Sequence, residues 1–219
     1  HTQRRRRVSR LVSFMFYRVS NLESVQIQPK PIEFVELDDN RLLTNLSKAI
    51  QYKTISYEDR LETDPKPFIA FHSFLKRTYA KVFKNLDVET FNGLSLLIKW
   101  EGSDPEKLPA LLMAHMDVVP ATGDWDFDPF SGEISDGYIW GRGSIDDKSS
   151  MMGILESVEY LLKKGHKPSR TIYLAFGHDE ENTGNDGAHE IAKTLSDRGT
   201  YFEFVLDEGM VIAENLIDG

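Results

Sequence analysis

Apolar residues recur every three or four positions in one part of the chain and form short continuous runs in another. Spacings of three and four are typical of a helix with one buried face. The first such stripe, in a helix predicted from about Asn40, consists of Leu42, Leu46, Ala49 and Ile50. The second, after a loop at 56–66, consists of Phe68, Phe71, Leu75, Tyr79 and Val82. We interpret both stripes as faces packed against a core.

Beyond residue 90 the pattern alternates between strands and helices. Continuous apolar runs predict strands at Leu94–Trp100, Ala110–Ala114, Thr171–Phe176 and Phe202–Leu206. Helical stripes predict helices at Ser149–Lys164, with Gly165 as its stop signal, and at Ala188–Leu195. Because continuous apolar strands are buried on both faces, this order predicts an α/β domain with a largely parallel sheet flanked by helices.

The composition is that of a globular protein and narrows the chemistry. The 219 residues are 40% hydrophobic and 28% charged, and no run of about 18 apolar residues occurs, so we expect no transmembrane span. The chain has no cysteine, which excludes a thiolate nucleophile and cysteine-ligated zinc.

Charge is distributed unevenly between the beginning and the rest of the chain. Residues 1–22 hold six arginines and no acid, whereas the remaining 20 basic and 35 acidic residues leave a net charge of −15. We therefore expect a basic, disordered arm with an extended lead-in at 1–39 and a catalytic domain at 40–219. The acidic domain argues against a nucleic-acid partner. A degraded targeting segment and an RNA-binding arm are the alternative interpretations of the basic residues.

Polar clusters follow three of the predicted strands, where sites of α/β domains collect. These clusters are His115-Met116-Asp117, Gly177-His178-Asp179-Glu180-Glu181 and Asp207-Glu208-Gly209, and a fourth, Gly141–Lys148, occupies a glycine-rich turn. Each alone has an ordinary structural explanation, as a solvated face, a turn or a helix cap. Together they crowd carboxylates and an imidazole at one edge, which is costly unless cations neutralise them. One histidine with several carboxylates suits Zn²⁺, Mn²⁺ or Co²⁺ better than Ca²⁺.

The remaining histidines have simpler interpretations. We expect His72, His166 and His189 at the surface, and His178 beside the site without being a ligand. The glycine-rich turn lacks the spacing of a phosphate-binding P-loop.

Four ordered runs resemble the dinuclear zinc metallopeptidases of the aminoacylase and carboxypeptidase S family, most of all its carboxypeptidase S and N-fatty-acyl-amino-acid synthase/hydrolase branch. The runs are LLMAHMDVVP, WDFDPFSGEISDGYIWGRGSIDDKSS, GHDEENTGNDGA and VLDEG. The likeness extends from about residue 40 to the end of the chain. It implies the first part of a metallopeptidase catalytic domain with two zinc ions per site, or Mn²⁺ or Co²⁺ in their place.

The resemblance also implies roles for individual residues. His115 and Asp207 would bind one metal ion, with Glu208 as the alternative to Asp207. Asp146 would bridge the two ions, and Glu181 would bind the second.

Two further residues would serve catalysis through their position. Asp117 would orient the imidazole of His115, and Glu180 would act as the general base. The glycine pair often found after the two glutamates is here Asn182-Thr183-Gly184, so the loop is less permissive at Thr183. The family's last histidine ligand and its lid and dimerisation domain lie downstream, so we expect the chain to be an N-terminal fragment.

The function implied is metal-dependent hydrolysis of the amide bond of N-acyl amino acids or short peptides, with the reverse synthesis also open. A truncated, non-catalytic fragment or binding module of the same fold is the alternative. The relatives favour a secreted or vacuolar location, and the sequence itself leaves location unknown; Asn45-Leu46-Ser47 is a glycosylation sequon.

Overall fold

The computed structural model describes residues 2–21 and 35–209, with side chains from residue 10 onward. By their contacts the residues divide into two units, His1–Leu37 and Asp38–Gly219. In the first unit, helix α1 spans Thr2–Ser20, so the expected disordered arm is helical. Its sequence contains no glycine or proline, and its last turn is closed by the side chains of Ser20 and Asn21, which donate to the carbonyl oxygen of Tyr17 at 3.0 and 2.7 Å. Most of the predicted lead-in lies outside the described residues.

Three helices open the second unit. Helix α2 (Asp39–Ile50) begins where the Asp38 side chain accepts a hydrogen bond from the Arg41 amide, and helix α3 is Pro65–Thr78. The sequence predicts a single helix for the second apolar stripe, but the structure has two. Tyr79 leaves the helical conformation, and a new helix, α4 (Ala80–Asn85), follows. The buried Glu159 carboxylate accepts from the first amides of α4, at 3.0 and 3.1 Å, which explains the new start.

The central sheet has five strands in the order β1-β2-β6-β3-β7. The strands are β1 Asp87–Phe91, β2 Ser95–Trp100, β3 Ala110–His115, β6 Ile172–Gly177 and β7 Phe204–Leu206. The α/β class is confirmed, but the sheet is mixed rather than largely parallel. β3 pairs in parallel with β6 and β7, whereas β2 pairs antiparallel with both β1 and β6. The unpredicted β1 joins β2 through the Asn92-Gly93 turn, whose residues have φ of 47° and 79°, and such a short turn can join only antiparallel strands.

Helices cover both faces of this sheet. Helix α5 (Lys148–Lys163) packs on one face together with α2, α3 and α4, and ends before Gly165, which has φ of +72°, as predicted. Helix α6 (Ala188–Asp197) packs on the other face through Ile191 and Leu195. A separate hairpin of β4 (Glu133–Ser135) and β5 (Tyr138–Trp140) was not predicted, since its strands are only three residues long. No described helix has the length and apolar character needed to cross a membrane.

Parallel pairing of β3, β6 and β7 aligns the carboxyl ends of these strands. His115 ends β3 and lies opposite Gly177, the last residue of β6. The Glu180 and Asp207 clusters follow β6 and β7 directly. The topology therefore brings three of the four predicted polar clusters to one edge of the sheet.

Candidate metal centre

The imidazole of His115 lies at the centre of the polar edge. Its side chain is 2% exposed, and its Nε2 is 2.8 Å from Asp146 Oδ1. Two further carboxylate oxygens, from Glu180 and Glu208, each lie 3.7 Å from the same nitrogen. A buried imidazole nitrogen facing three carboxylates is a typical environment for a cation.

His115, Asp146 and Glu208 form a group in which one possible ligand atom from each residue lies within 4.8 Å of the others. The sequence favoured Asp207 as the acid following β7, with Glu208 as the alternative. The structure brings Glu208 to the imidazole and leaves Asp207 outside this group. Successive residues of an extended chain point to opposite sides, so only one of the two neighbours faces His115.

Asp117 lies beneath the site, fully buried, and joins two of its parts. Its backbone carbonyl oxygen is hydrogen-bonded to His115 Nδ1 at 3.0 Å. Its Oδ1 is 3.3 Å from the same nitrogen and accepts from the Glu180 amide at 3.2 Å. Its Oδ2 accepts from the Ser56 hydroxyl at 2.7 Å and from the Glu181 amide at 3.1 Å. The carbonyl oxygen and the carboxylate of Asp117 therefore both face the imidazole, and the carboxylate also positions the turn that carries both glutamates. The orienting role that the resemblance implies for Asp117 stays a prediction.

Glu180 and Glu181 begin a short 3₁₀ turn, Glu180–Asn182, that follows β6. The turn ends at Thr183, which has φ of 142°, a conformation that favours glycine and strains a β-branched residue. The predicted restriction at Thr183 therefore corresponds to a strained backbone immediately after the two glutamates.

The turn that carries Asp146 is held by neighbouring residues. The Asp147 carboxylate is buried and accepts from the His115 amide at 3.3 Å, so it supports the end of β3. Lys148 is fully buried, and its ammonium donates to the carbonyl oxygens of Ala49 and Tyr52 at 3.1 and 2.6 Å. Burial lowers the pKa of Lys148 to about 7, opposed by the charge of Asp117. Lys148 thus ties the start of α5 to the end of α2.

The electric field at the site favours positive charge. Burial by itself would lower the pKa of His115, but the hydrogen bond and charge of Asp117, with Asp146 and Glu180, raise this pKa to about 10. Burial and the neighbouring carboxylates raise the pKa of Glu208 to about 7. Glu180 and Glu181 also have raised pKa values, first from burial and then from the charges of Asp117 and Asp146. A bound cation would favour the ionised form of these carboxylates, which otherwise repel one another around the imidazole.

The donor set fits a zinc-type ion. An imidazole nitrogen and carboxylate oxygens converge beside a cavity of about 270 Å³ that His115, Glu180, Asp207 and Glu208 help to line. Asp146 Oδ1 lies 2.8 Å from His115 Nε2, and the charge of Asp146 also raises the pKa of Glu181.

Several residues around the site carried no clear sequence signal. Ser56 also accepts from the Asn182 amide group at 2.5 Å, but it lies in a loop with no motif. Lys148 stands in the Asp-Asp-Lys run, where its burial was not predicted. His178 is buried and its Nδ1 is 2.6 Å from the Ser95 hydroxyl, beside the site as predicted. His72 was expected at the surface and is buried, because α3 packs that face on the sheet.

The structure also shows where the remaining two histidines and the glycosylation sequon lie. His166 and His189 are exposed, as predicted. The sequon residue Asn45 lies in α2, and its amide nitrogen donates to the Glu156 carboxylate at 2.5 Å. This nitrogen is therefore engaged inside the folded unit rather than presented to solvent.

Comparison with known proteins places this arrangement in a family. Residues 111–217 match the model of peptidase family M20/M25/M40, a stretch that contains all the residues of the candidate metal centre. The chain therefore carries a domain of peptidase family M20, the metallopeptidase family that the sequence motifs resemble.

Curated relatives identify the branch of the family. The chain is 49% identical over 184 residues to the probable carboxypeptidase S-like 2 of Dictyostelium discoideum, which covers 82% of this chain and 36% of that protein. It is 42% identical over 190 residues to the N-fatty-acyl-amino acid synthase/hydrolase PM20D1 of Xenopus tropicalis, covering 85% and 37%. With carboxypeptidase S of Saccharomyces cerevisiae it shares 39% identity over 190 residues, covering 80% and 33%. The chain thus spans little more than a third of these relatives.

Solved structures agree on the fold. An M20 family metallo-carboxypeptidase of Sulfolobus solfataricus superposes with a TM-score of 0.63 at 21% identity, covering 80% of this chain and 38% of that one. Human carnosine dipeptidase 1 gives a TM-score of 0.60 at 20% identity, covering 77% and 38%. The described α/β unit is therefore the fold of M20 metallopeptidase catalytic domains.

Proposed function

We propose that this chain belongs to an enzyme that hydrolyses the amide bond of N-acyl amino acids or short peptides with the help of two zinc ions. The observation that supports this most directly is the convergence of His115, Asp146 and Glu208 at the carboxyl edge of an M20-type sheet. The names of the relatives favour carboxypeptidase or N-acyl-amino-acid substrates.

In this proposal the metal ligands divide into two sets that share one residue. His115 and Glu208 hold the first ion, with Glu208 in the place where the sequence favoured Asp207. Glu181 would hold the second ion, and Asp146 would be the residue shared by the two sets. Ions held by these residues would supply a water molecule of lowered pKa and polarisation of the substrate's carbonyl oxygen. Mn²⁺ and Co²⁺ suit the same donors.

Glu180 is the proposed general base. It lies at the rim of the cluster, 3.7 Å from His115 Nε2, and half of its side chain is exposed, so a water molecule and a substrate can reach it. Burial and nearby carboxylates raise the pKa of Glu180, which brings it closer to neutral pH. Glu180 would take a proton from the attacking water and return it to the amine that leaves. Asp117 holds the Glu180 amide and so keeps the base at a set distance from His115.

The reverse condensation is part of the proposal, since one relative is named as a synthase and hydrolase. The alternative is that the chain binds metal without turnover, because it spans about a third of its relatives. Both alternatives share the metal centre and differ in catalysis.

Zinc content and turnover of the purified chain, and of a full-length relative, test the proposal. We expect zinc in the purified protein and release of a free amino acid from an N-acyl amino acid or dipeptide. Glu180→Gln should lower kcat by at least about 10²-fold while zinc content stays unchanged. Glu106→Gln, an exposed glutamate at the opposite end of β3, is the matched control and should leave both unchanged.

The outcomes separate the alternatives. Zinc without turnover in the 219-residue chain supports the binding-module alternative. If the 219-residue chain contains no zinc and shows no turnover, the enzymatic interpretation of this chain is rejected. Full turnover by the Glu180→Gln variant would remove Glu180 from the role of base.

A further inference from the structure

Helix α1 has a well-defined apolar face. Leu11, Met15 and Val19 follow one another at spacings of four, and Val12 and Phe16 lie beside them on the helix surface. Each of these five side chains is between 43% and 73% exposed. Contiguous apolar surface of this kind is unfavourable in water and marks an interaction site.

The opposite face is mixed, since it carries polar residues together with the aromatic rings of Phe14 and Tyr17, which are 58% and 66% exposed. The helix as a whole is basic. Arg10, Ser13 and Ser20 lie away from the apolar face, and all three are exposed. Residues 1–20 contain six arginines and no aspartate or glutamate. A helix of this composition is complementary to a partner that offers apolar material and negative charge together.

An anionic lipid bilayer offers both, whereas RNA offers only the charge. RNA would occupy the arginines and leave the apolar face in water. The helix is also unsuited to cross a bilayer. The apolar run Leu11–Tyr17 lies between Arg10 and Arg18 and is about 10 Å long, against a hydrocarbon core of about 30 Å.

We propose that α1 binds in the plane of an anionic membrane and tethers the catalytic unit to its surface. Leu11, Val12, Met15, Phe16 and Val19 enter the boundary between headgroups and acyl chains. The arginines contact lipid phosphates, and each arginine near an anionic surface strengthens binding roughly fivefold. This proposal is independent of the metal centre, since it concerns the other unit of the chain.

The absence of cysteine makes a direct test simple. The variants Met15→Cys and Ser13→Cys each offer a single site for an environment-sensitive fluorophore, one on the apolar face and one on the opposite face. The full chain is mixed with vesicles of phosphatidylcholine that contain roughly 30% phosphatidylserine, which gives their surface a negative charge similar to that of a cell membrane. We expect a blue shift of emission at position 15 and none at position 13. Equal shifts at both positions, or no shift at either, would overturn the proposal.

Co-sedimentation with vesicles measures what each face contributes. Leu11→Ser combined with Met15→Ser should weaken binding by at least about tenfold, because it removes two apolar side chains from the face that enters the membrane. Phe14→Ser combined with Tyr17→Ser removes two large side chains outside that face and should weaken binding about threefold or less. Equal losses in the two variants would show non-directional adhesion and contradict the proposal.

Changes in lipid composition and a comparison with RNA provide two further tests of the proposal. Pure phosphatidylcholine vesicles should bind at least about tenfold more weakly than the anionic vesicles, and added salt should weaken binding to the anionic vesicles. Binding to a 20-nucleotide oligouridine without vesicle binding, unchanged by Leu11→Ser with Met15→Ser, would assign α1 to RNA and reject the membrane.

Discussion

Replacing Asp117 by asparagine is expected to destabilise the catalytic unit by about 3–5 kcal/mol, because no orientation of the amide fits the donors around it. Each oxygen of Asp117 accepts from one backbone amide, that of Glu180 on one side and that of Glu181 on the other. Whichever oxygen becomes an NH₂ group, it faces an N–H donor. Asp117→Asn therefore replaces one hydrogen bond by a contact between two N–H donors at a fully buried position.

The magnitude follows from the bonds that are lost. A hydrogen bond to a charged group contributes about 1.5–3 kcal/mol, and a buried donor left without an acceptor costs about 1–3 kcal/mol. One loss of each kind sums to about 2.5–6 kcal/mol, and the expected 3–5 kcal/mol is the middle of this range. Ser56→Ala removes one donor to the carboxylate and the acceptor of the Asn182 amide group but leaves the carboxylate in place, so it should cost about 1.5–3 kcal/mol.

Urea unfolding in a chelating buffer, followed by tryptophan fluorescence, measures these differences without a contribution from metal. Asp126→Asn is the matched control, since Asp126 is exposed, and its unfolding free energy should change by less than about 0.5 kcal/mol. If Asp117→Asn costs less than about 1 kcal/mol, Asp117 is not the residue that holds the turn, and the reasoning is refuted.

Further predictions concern a glycine contact and metal binding. Gly132 has φ of 62° and a Cβ there would lie 2.2 Å from the Ser47 carbonyl oxygen, so Gly132→Ala should cost about 2–5 kcal/mol. Gly123→Ala, at φ of 81° in open space, should cost about 1 kcal/mol in the same unfolding assay, and similar losses at both sites would contradict the contact. Zinc affinity measured by calorimetry should rise from pH 6 to pH 8, because the raised pKa values of His115 and Glu208, about 10 and about 7, mean that zinc displaces two protons at pH 6 and fewer above pH 7. Glu208→Gln should flatten the part of this slope below pH 7, and an unchanged slope would exclude Glu208 from the site.

The sequence predicted the edge of the sheet on which the site lies, for a physical reason. Continuous apolar runs mark the buried strands, and the first polar residue after such a run must leave the sheet where the strand ends. His115 is the first polar residue after such a run and ends β3, and Glu180 lies three residues beyond the end of β6. Their convergence follows from parallel pairing, which the alternation of strands and helices favours.

The details that the sequence did not predict depend on contacts between distant segments. The choice between Asp207 and Glu208 depends on which neighbour faces His115, and the pattern of residues is the same in either case. The break at Tyr79 depends on Glu159, about 80 positions further along the chain, which caps the helix that follows. The antiparallel β1 was missed because its residues, mostly exposed, show no apolar run.

Strand β7 links the metal centre to the least protected part of the sheet. It pairs with β3 over only three residues, and all three of its side chains are exposed. The free energy needed to open such a strand is small compared with that of global unfolding, so its amides should exchange with solvent first. Glu208 follows β7, and each opening withdraws one carboxylate while His115 and Asp146 stay in place. If Glu208 holds the proposed ion, ordering of this strand and occupancy of the metal centre form a single coupled equilibrium, in which a bound ion would protect the backbone of β7.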